Sequence, residues 1–524
     1  MTRNRLILIL LFVMGTICSA DAAEDSVVMT EQGGVAGTVT PTLRMFLGVP
    51  YAAPPVGDLR WTPPQPHAPR DTPLDATQFR SHCAQVASVF GAASVSEDCL
   101  FLNIFTPSDQ ATEGNARSPV MVWIHGGALT FGESDDYIPT KLVQQGHVIV
   151  VTINYRLGAF GFLAHPALSA ESADHISGNY GLMDQQFALK WVQRNIAAFG
   201  GDPRNVTIFG QSGGGLSVFS NLASPLAAGL FHRAIVQSGA YELGLPTLAD
   251  EESHGVAFAA SVGCKDQSAQ CLRSKSVKKI LANWGLDSNP NVDGKLLRQS
   301  LDTAVATGQF NHVPVMQGTN HDEWRFFVAL DELSGAPIPA AAYPSAIVDL
   351  VGPDAAPLVL AEYPLDNFAS PSLALGAVGT DLIFACPARG ADQVLSTQVP
   401  TFAYEFNDGN APELFLPPVS FPYGATHASE LLYLFKLTRP GELDAQQQIL
   451  SDNMVRYWVQ FARSGNPNAP GLPLWPRYDN PTDKFQSLLP PSPMPEFQFA
   501  SDHKCDFWAR LFAASIQRGA AALR

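Results

Sequence analysis

A serine set among glycines is the residue whose surroundings most clearly predict nucleophilic chemistry. Ser212 lies in the segment Gly-Gln-Ser-Gly-Gly at 210–214, after an apolar, β-type run at 206–209 and before a helix-compatible stretch at 216–222. This order predicts a nucleophile elbow, in which a sharp strand-to-helix turn holds a serine at the edge of a sheet. A side chain at the first or last glycine would crowd the neighbouring strand and helix. For the five residues alone, the alternative is an ordinary glycine–serine loop that caps a helix.

A serine nucleophile needs a base and an acid, which in this kind of turn arrangement follow it along the chain in the order serine, acid, histidine. Two segments that come after predicted strands contain suitable side chains: Gly-Thr-Asn-His-Asp-Glu at 318–323, and Gly-Ala-Thr-His-Ala-Ser-Glu at 424–430. Their positions alone leave two choices open, although His321 is more simply interpreted as a loop residue. The candidates are Glu323 or Asp322 as the acid and His427 or His321 as the base.

A segment near the first third of the chain offers backbone donors for a developing oxyanion. His-Gly-Gly-Ala at 125–128 directly follows an apolar run at 120–124. Paired glycines let the backbone approach a substrate oxygen closely, which an oxyanion hole requires. A plain Gly-Gly turn is the alternative, but the histidine and the preceding strand favour the catalytic interpretation.

Short runs rich in valine and isoleucine must position these residues. Because their apolar side chains are consecutive rather than alternating, they predict strands that are buried on both faces of a mainly parallel sheet. Apolar residues from Phe187 to Phe199 recur at helical spacing, and Gly200-Gly201 ends that helix. The alternation of strands and helices predicts an α/β fold with a doubly wound sheet, and 335–381 predicts a helical, loop-rich cap. The predicted strands are 120–124, 148–153, 206–209, 234–236, 313–316 and 401–406.

The N-terminus predicts export. Arg3 and Arg5 precede an apolar stretch at 6–14 that is too short to span a bilayer. Ala20-Asp21-Ala22 offers a small-residue cleavage site, and the Ser19-Ala20 junction is the alternative. We therefore expect a signal peptide at 1–22, one domain at 23–524, and a secreted or periplasmic protein. No other segment is long and apolar enough to predict a membrane span.

Cysteine content and charge narrow the class further. Beyond Cys18 the chain has six cysteines, and an even number in an exported chain predicts disulfides. No spacing among these cysteines resembles a zinc site, and a formal charge of −16 argues against a nucleic-acid partner. Short loops favour the pairs Cys83–Cys99 and Cys264–Cys271, which leaves Cys386–Cys505 as the third pair.

Ordered motifs along nearly the whole mature chain resemble the type-B carboxylesterases, a family that includes the cholinesterases and has the α/β-hydrolase fold. They begin with Phe-Leu-Gly-Val-Pro-Tyr-Ala and end near Trp-Pro at 475–476. Dispersed motifs in a fixed order are highly specific. The matching segments are 46–52, 54–61, 96–104, 154–156, 178–182, 199–214, Trp458, 461–462 and 475–476.

The resemblance implies a role for each candidate. It selects Glu323 as the acid and His427 as the base, and it matches the three cysteine pairs. It implies that the backbone amides of Gly127, Ala128 and Gly213 bind the oxyanion. It also implies that the Ser238 side chain supports the acid, Glu323. The implied activity is hydrolysis of small carboxylic esters by Ser212 through an acyl-enzyme, with no metal or cofactor.

Two departures from the cholinesterases bear on the substrate. Gln211 is neutral where they have a glutamate before the nucleophile, and the loop at 84–98 lacks their cation-binding tryptophan. Neutral esters are therefore expected in preference to choline esters. Trp324 follows the acid where the family usually has glycine, and either shapes the pocket or fills space. A lipase or amidase on the same triad, and a non-catalytic adhesion or ligand-binding protein, are the alternative functions.

Overall fold

The structure is a computed structural model that describes residues 26–108, 117–286 and 288–522. The predicted signal peptide at 1–22 lies outside the described residues. The prediction of one domain at 23–524 stays a prediction.

A twisted sheet of eleven strands forms the centre of the fold, in the spatial order β16-β15-β13-β12-β11-β10-β7-β9-β6-β4-β3. Between β9 and β15, in the order β9-β7-β10-β11-β12-β13-β15, every neighbouring pair is parallel. The pairs outside this run, β3-β4, β4-β6, β6-β9 and β15-β16, are antiparallel. The strands are β1 Val27–Thr30, β2 Gly33–Ala36, β3 Thr38–Val39, β4 Leu43–Pro50, β5 Leu74–Asp75, β6 Phe101–Pro107, β7 Ser118–Ile124, β8 Tyr137–Ile138, β9 Ile149–Ile153, β10 Gly201–Gln211, β11 Arg233–Gln237, β12 Val315–Asn320, β13 Thr401–Phe406, β14 Lys436–Leu437, β15 Phe485–Leu488 and β16 Met494–Glu496.

Consecutive apolar residues do bury both faces of this sheet, as predicted. On β7, Val120 and Val122 belong to the hydrophobic core on one face, whereas Met121 and Trp123 belong to the core on the other. Side chains along a strand point alternately to its two faces, so an unbroken apolar run suits a strand covered on both sides. The predicted α/β class and the mainly parallel sheet are confirmed.

Helices cover both faces of the sheet. The predicted amphipathic helix is α4, which begins earlier than expected, at Tyr180, and continues as a 3₁₀ turn to Phe199 before Gly200 ends it at φ 91°. The α-helices are α1 Thr140–Gly146, α2 Gly158–Phe162, α3 Pro166–Glu171, α4 Tyr180–Asn195, α5 Gly213–Ala223, α6 Leu248–Ser261, α7 Ala269–Arg273, α8 Val277–Leu281, α9 Leu301–Ala306, α10 Arg325–Ser334, α11 Tyr343–Val351, α12 Ala356–Glu362, α13 Pro371–Gly379, α14 Cys386–Leu395, α15 Leu431–Leu434, α16 Ala445–Ser464, α17 Phe499–Asp502 and α18 Cys505–Ala522.

The region predicted to form a cap is helical. Helices α10 to α13 pack on one another around a separate hydrophobic cluster that includes Phe326, Ile347, Val359 and Val378. A π-helical turn, Thr380–Ala385, joins α13 to α14. Together 371–395 form a stretch long and apolar enough to cross a membrane, contrary to the expectation that no such segment follows the N-terminus. Because 61% of its apolar window is buried within the protein, this is weak evidence for a span.

Three disulfides join the six cysteines in the pairs expected from the sequence. The Cα–Cα distances are 4.9 Å for Cys83–Cys99, 5.6 Å for Cys264–Cys271 and 5.1 Å for Cys386–Cys505. The last pair closes a loop of 119 residues and ties the start of α14 to the start of α18. In the chain-entropy description, closing the longest loop restricts the unfolded chain most.

Candidate active site

Ser212 lies on a strained turn between β10 and α5, as the elbow predicts. Its backbone has φ 55° and ψ −125°, values that a non-glycine residue rarely adopts. The flanking glycines are needed for close packing. A Cβ at Gly210 would lie 2.5 Å from the carbonyl oxygen of Gly214, and one at Gly214 would lie 2.0 Å from that of Ile124. The turn therefore fits only because these two side chains are absent.

The predicted acid and base meet beyond the carboxyl ends of the next two long strands. Glu323 follows β12 and His427 follows β13, and His427 Nδ1 lies 2.5 Å from Glu323 Oε2. Both side chains are buried. The other carboxylate oxygen of Glu323 accepts hydrogen bonds from Thr319 Oγ1 and the Asn320 amide, each at 2.8 Å. The carboxylate is thus fixed on one side and free to orient the imidazole on the other.

The other imidazole nitrogen faces the elbow. His427 Nε2 lies 3.2 Å from the side-chain nitrogen of Gln211, the residue before the nucleophile. The Ser212 side chain is hydrogen-bonded to that of Tyr241, which follows the end of β11, and burial raises the pKa of Tyr241 well above its usual value. Sequence reasoning missed Tyr241 and Thr319. The rule that ligands bind beyond the carboxyl ends of parallel strands was the signal that could have identified Tyr241.

His321 and Asp322 were the alternatives that sequence position alone could not exclude, and their side chains make other contacts. His321 turns away from His427, and its Nδ1 lies 2.9 Å from Glu405 Oε1. Asp322 forms an ion pair with Arg325 at 2.8 Å and accepts a hydrogen bond from the Ala425 amide at 2.9 Å. Asp322 therefore joins the loop that carries the acid to the loop that carries His427.

The predicted oxyanion donors lie beside the elbow with their amides free. A Cβ built on Gly213 would be 3.1 Å from the Ala128 nitrogen, and one on Gly126 would be 3.2 Å from Ser212 Cβ. The loop after β7 therefore lies against Ser212. In the part of the chain that the structure describes, the amides of Gly127, Ala128 and Gly213 donate no hydrogen bond to another residue. Unpaired amides at this position suit a substrate oxygen.

Ser238 does not play the part that the resemblance implied. Its Oγ is buried without a hydrogen-bond partner in the described chain, and its backbone amide bonds to the Gly318 carbonyl at 2.8 Å. The predicted support of Glu323 by this hydroxyl is therefore absent from the structure. The hydroxyl of Thr319, on β12, donates a hydrogen bond to Glu323 instead.

Aromatic rings surround the base. The ring centroids of Phe327 and Phe384 lie 5.3 and 5.2 Å from that of His427, and the Phe326 centroid lies 6.1 Å away. Trp324 stacks on Phe327 at 4.4 Å and faces Phe384 at 6.3 Å. Trp324 therefore packs against the two aromatic rings that lie next to His427.

The buried imidazole of His125 makes the stability of the folded protein depend on pH. It is buried, its Nδ1 lies 2.8 Å from the Gly126 carbonyl oxygen, and burial lowers its pKa to about 4. An unfolded histidine has a pKa of about 6.5, so between these values the unfolded chain binds the additional proton. The histidine thus contributes stability that is fully present above pH ~6.5 and is lost as pH falls toward ~4.

We expect this residue alone to lower the free energy of unfolding by about 2 kcal/mol between pH 7.5 and pH 5. Urea denaturation of the wild type and of His125→Asn at both pH values measures it, because asparagine keeps a polar side chain but cannot titrate. The variant should lose correspondingly less stability on acidification. An equal loss in both proteins would contradict the assignment.

The order of this sheet, with a serine elbow after a central strand, defines the α/β-hydrolase class. A solved structure of PNB esterase is similar to this fold, with a TM-score of 0.77 and 32% sequence identity, over 92% of this chain and 100% of that chain. A match to the carboxylesterase family extends over residues 24–508, and the chain belongs to that family.

Curated relatives agree with this assignment over most of the chain. The chain is 34% identical to pyrethroid hydrolase Ces2e of Rattus norvegicus, over 91% of this chain and 87% of that protein. It is 35% identical to an acylcarnitine hydrolase of Mus musculus, over 91% and 88%. It is 34% identical to cocaine esterase of Homo sapiens, with the same coverage of 91% and 88%. The protein is therefore a carboxylic ester hydrolase.

Proposed function

We propose that the protein hydrolyses neutral carboxylic esters with Ser212, His427 and Glu323 as its catalytic triad. The observation that carries the proposal is the contact of 2.5 Å between His427 and Glu323 at the edge of the sheet where the strained serine turn lies. These three residue types in this spatial order match the requirements of nucleophilic acyl transfer.

The proposed reaction begins when the Ser212 hydroxyl turns from Tyr241 toward His427 Nε2, replacing the Gln211 amide there. Hydrogen bonds between nucleophile and base commonly tighten only when substrate binds. His427 then takes the serine proton as Oγ attacks the ester carbonyl. The anionic carboxylate of Glu323 stabilises the imidazolium that forms, and holds its ring in place.

Charge that develops on the carbonyl oxygen is taken up by the free amides of Gly127, Ala128 and Gly213. Such preorganised donors lose no reorganisation energy at the moment of reaction. His427 returns its proton to the leaving alcohol, which leaves an acyl group on Ser212. Water, activated by His427, then attacks the acyl-enzyme, and the carboxylic acid product is released.

The wall of Trp324, Phe327 and Phe384 supports an apolar group on the substrate. Initial rates on p-nitrophenyl esters of increasing acyl length, on a matching anilide and on an emulsified triglyceride test the substrate class. We expect a soluble ester to be the best substrate. A higher kcat/KM for the anilide would make the protein an amidase, and activation by the emulsion interface would make it a lipase.

Substrate charge gives a sharper prediction. Gln211, next to His427 Nε2, supplies no negative charge, and one face of Phe327 is covered by Trp324. We expect kcat/KM for 3,3-dimethylbutyl butyrate to exceed that for butyrylcholine by about tenfold or more, or ~1.4 kcal/mol. Gln211→Glu is the matched variant, and it should shift the ratio toward the choline ester. A wild-type ratio that favours butyrylcholine would show that another group binds the cation.

We also propose that the enzyme is exported through the segment at 1–22 and works outside the cytoplasm as a single domain of 23–524. The three disulfides support this proposal, because such bonds persist in oxidising compartments. N-terminal sequencing of the mature protein from an extracellular or periplasmic fraction tests it. An intact N-terminus on cytoplasmic protein would contradict it.

A further inference from the structure

A cluster of histidines and carboxylates lies beside the loop that carries Glu323, and the proposed reaction does not use it. His321 comes from the end of β12, Glu405 from β13, and His503 from the turn between α17 and α18. Glu405 Oε1 lies 2.9 Å from His321 Nδ1 and 2.6 Å from His503 Nε2. One potential ligand atom from each residue lies within 4.8 Å of the other two.

Neighbouring groups hold the side chain of His503 in a defined orientation. Asp381 Oδ1 lies 2.6 Å from His503 Nδ1, so the opposite ring nitrogen points toward Glu405. Tyr363 donates to the other Asp381 oxygen at 2.7 Å and accepts a hydrogen bond from Trp508 at 2.8 Å. A carboxylate behind a histidine is the arrangement that fixes the tautomer and direction of metal-binding imidazoles.

Glu405 is oriented in a similar way. Asn407 Nδ2 donates to Glu405 Oε2 at 2.7 Å, which leaves Oε1 for the two histidines. The same amide lies 3.3 Å from Glu496 Oε2, and the side chains of Glu496 and Glu405 contact each other. The carboxylate of Glu496 therefore lies against Glu405.

The cluster is closed toward the core and open on one side. Glu405 and His503 are buried, whereas the side chain of His321 is 41% exposed. An ion could enter along this side chain without any rearrangement of the sheet. The ring centroids of the two histidines are only 5.2 Å apart, so both rings can reach one ion.

We propose that His321, Glu405 and His503 bind a divalent transition-metal ion of the Zn²⁺ type, with water as the fourth ligand. Two imidazoles and a carboxylate form a donor set that Zn²⁺ binds well. Ligand atoms about 2.0–2.2 Å from the ion lie roughly 3.3 Å apart in a tetrahedron. The two contacts that Glu405 Oε1 makes with the imidazole nitrogens must therefore lengthen by less than about 1 Å. The ion would replace the protons that the three side chains now share.

The site joins three distant parts of the chain next to the catalytic acid. His321 is two residues from Glu323, so a bound ion would restrain the loop that positions the acid against His427. It would also attach the C-terminal helix to β13. The expected role is to stabilise the folded enzyme and its acid loop, not to take part in ester chemistry.

The other groupings of this kind are less suited. One combines Cys264, Asp266 and Cys271, but its two sulfur atoms form a disulfide. His82, Glu133 and Asp135 form the other, in which all three residues are partly exposed. Among the described residues, the cluster around Glu405 is the one grouping with two histidines.

The test uses full-length protein that has been stripped with a chelator, incubated with excess ZnCl₂ and desalted before metal analysis. We expect one equivalent of zinc in the wild type and in His254→Ala, which removes a histidine that is 71% exposed beside Glu251. His321→Ala should retain far less than one equivalent. Because His321 is partly exposed, this variant should keep its fold, which circular dichroism can verify.

Isothermal titration with Zn²⁺ alone and Co²⁺ absorption spectra complete the test. Asp381→Asn keeps all three ligands but weakens the support of His503, so affinity should fall roughly 10–100-fold. The Co²⁺ spectrum of the wild type should show tetrahedral coordination. Absence of bound zinc in the wild type, or equal zinc in His321→Ala, would show that the cluster is only a hydrogen-bonded network. Neither result would affect the proposed triad.

Discussion

Replacing Ser212 with alanine is expected to lower kcat for a neutral p-nitrophenyl ester by a factor on the order of 10⁴ or more. The hydroxyl is the atom that forms the acyl-enzyme, and its loss leaves no nucleophile on the strained turn. Its hydrogen bond to Tyr241 is replaceable by water because Ser212 is only partly buried. The fold and its urea midpoint should therefore change little.

His427→Ala should lose a similar factor, because members of a triad act as a unit. Ser253→Ala is the matched control, since that serine is exposed on α6 and its hydroxyl donates a hydrogen bond to the Ala249 carbonyl. The control should retain full activity. If Ser212→Ala kept a tenth of the wild-type rate, the assignment of the nucleophile would be wrong.

Glu323→Gln is expected to lower kcat by roughly 10³–10⁴-fold. The amide has the size of the carboxylate, but it cannot stabilise an imidazolium. It can also turn its NH₂ group toward His427 Nδ1, which now lies 2.5 Å from Glu323 Oε2. The ring would then favour the wrong tautomer, with its lone pair directed away from the nucleophile. Stopped-flow or steady-state rates on the same ester measure the loss.

Asp322→Asn is the matched control for this variant. Asp322 is the neighbouring acid that sequence position could not exclude, and its carboxylate pairs with Arg325. The change should leave kcat within about tenfold of the wild type, with a modest loss of stability. A large loss for Asp322→Asn together with a small one for Glu323→Gln would reverse the assignment.

The sheet and the elbow were predictable because their physical requirements are visible in a few residues. The aromatic-rich run at 401–406 predicted a strand with the bounds that the structure has. The flanking glycines of Ser212 marked a turn where backbone oxygens come within 2.0–2.5 Å of an added Cβ. Where polar residues continued a strand, prediction stopped early: β12 extends to Asn320, beyond the apolar run that ended at Met316.

Details of the site depended on contacts that spacing does not specify. His321 and Asp322 adjoin Glu323, and only the direction of the turn after β12 sends their side chains to Glu405 and Arg325. Thr319 and Tyr241 carry no motif of their own. Ser238 was assigned to the acid through resemblance alone, and the structure places a different hydroxyl there.

Covalent labelling tests the central claim most directly. The enzyme is incubated with an organophosphonate ester that carries a reporter group, then digested, and the modified peptide is sequenced by mass spectrometry. The proposed mechanism predicts one label per chain, located on Ser212, with activity lost in proportion to labelling and no label on Ser212→Ala. A label on another residue that accounts for the loss of activity, or equal labelling of Ser212→Ala, would contradict it.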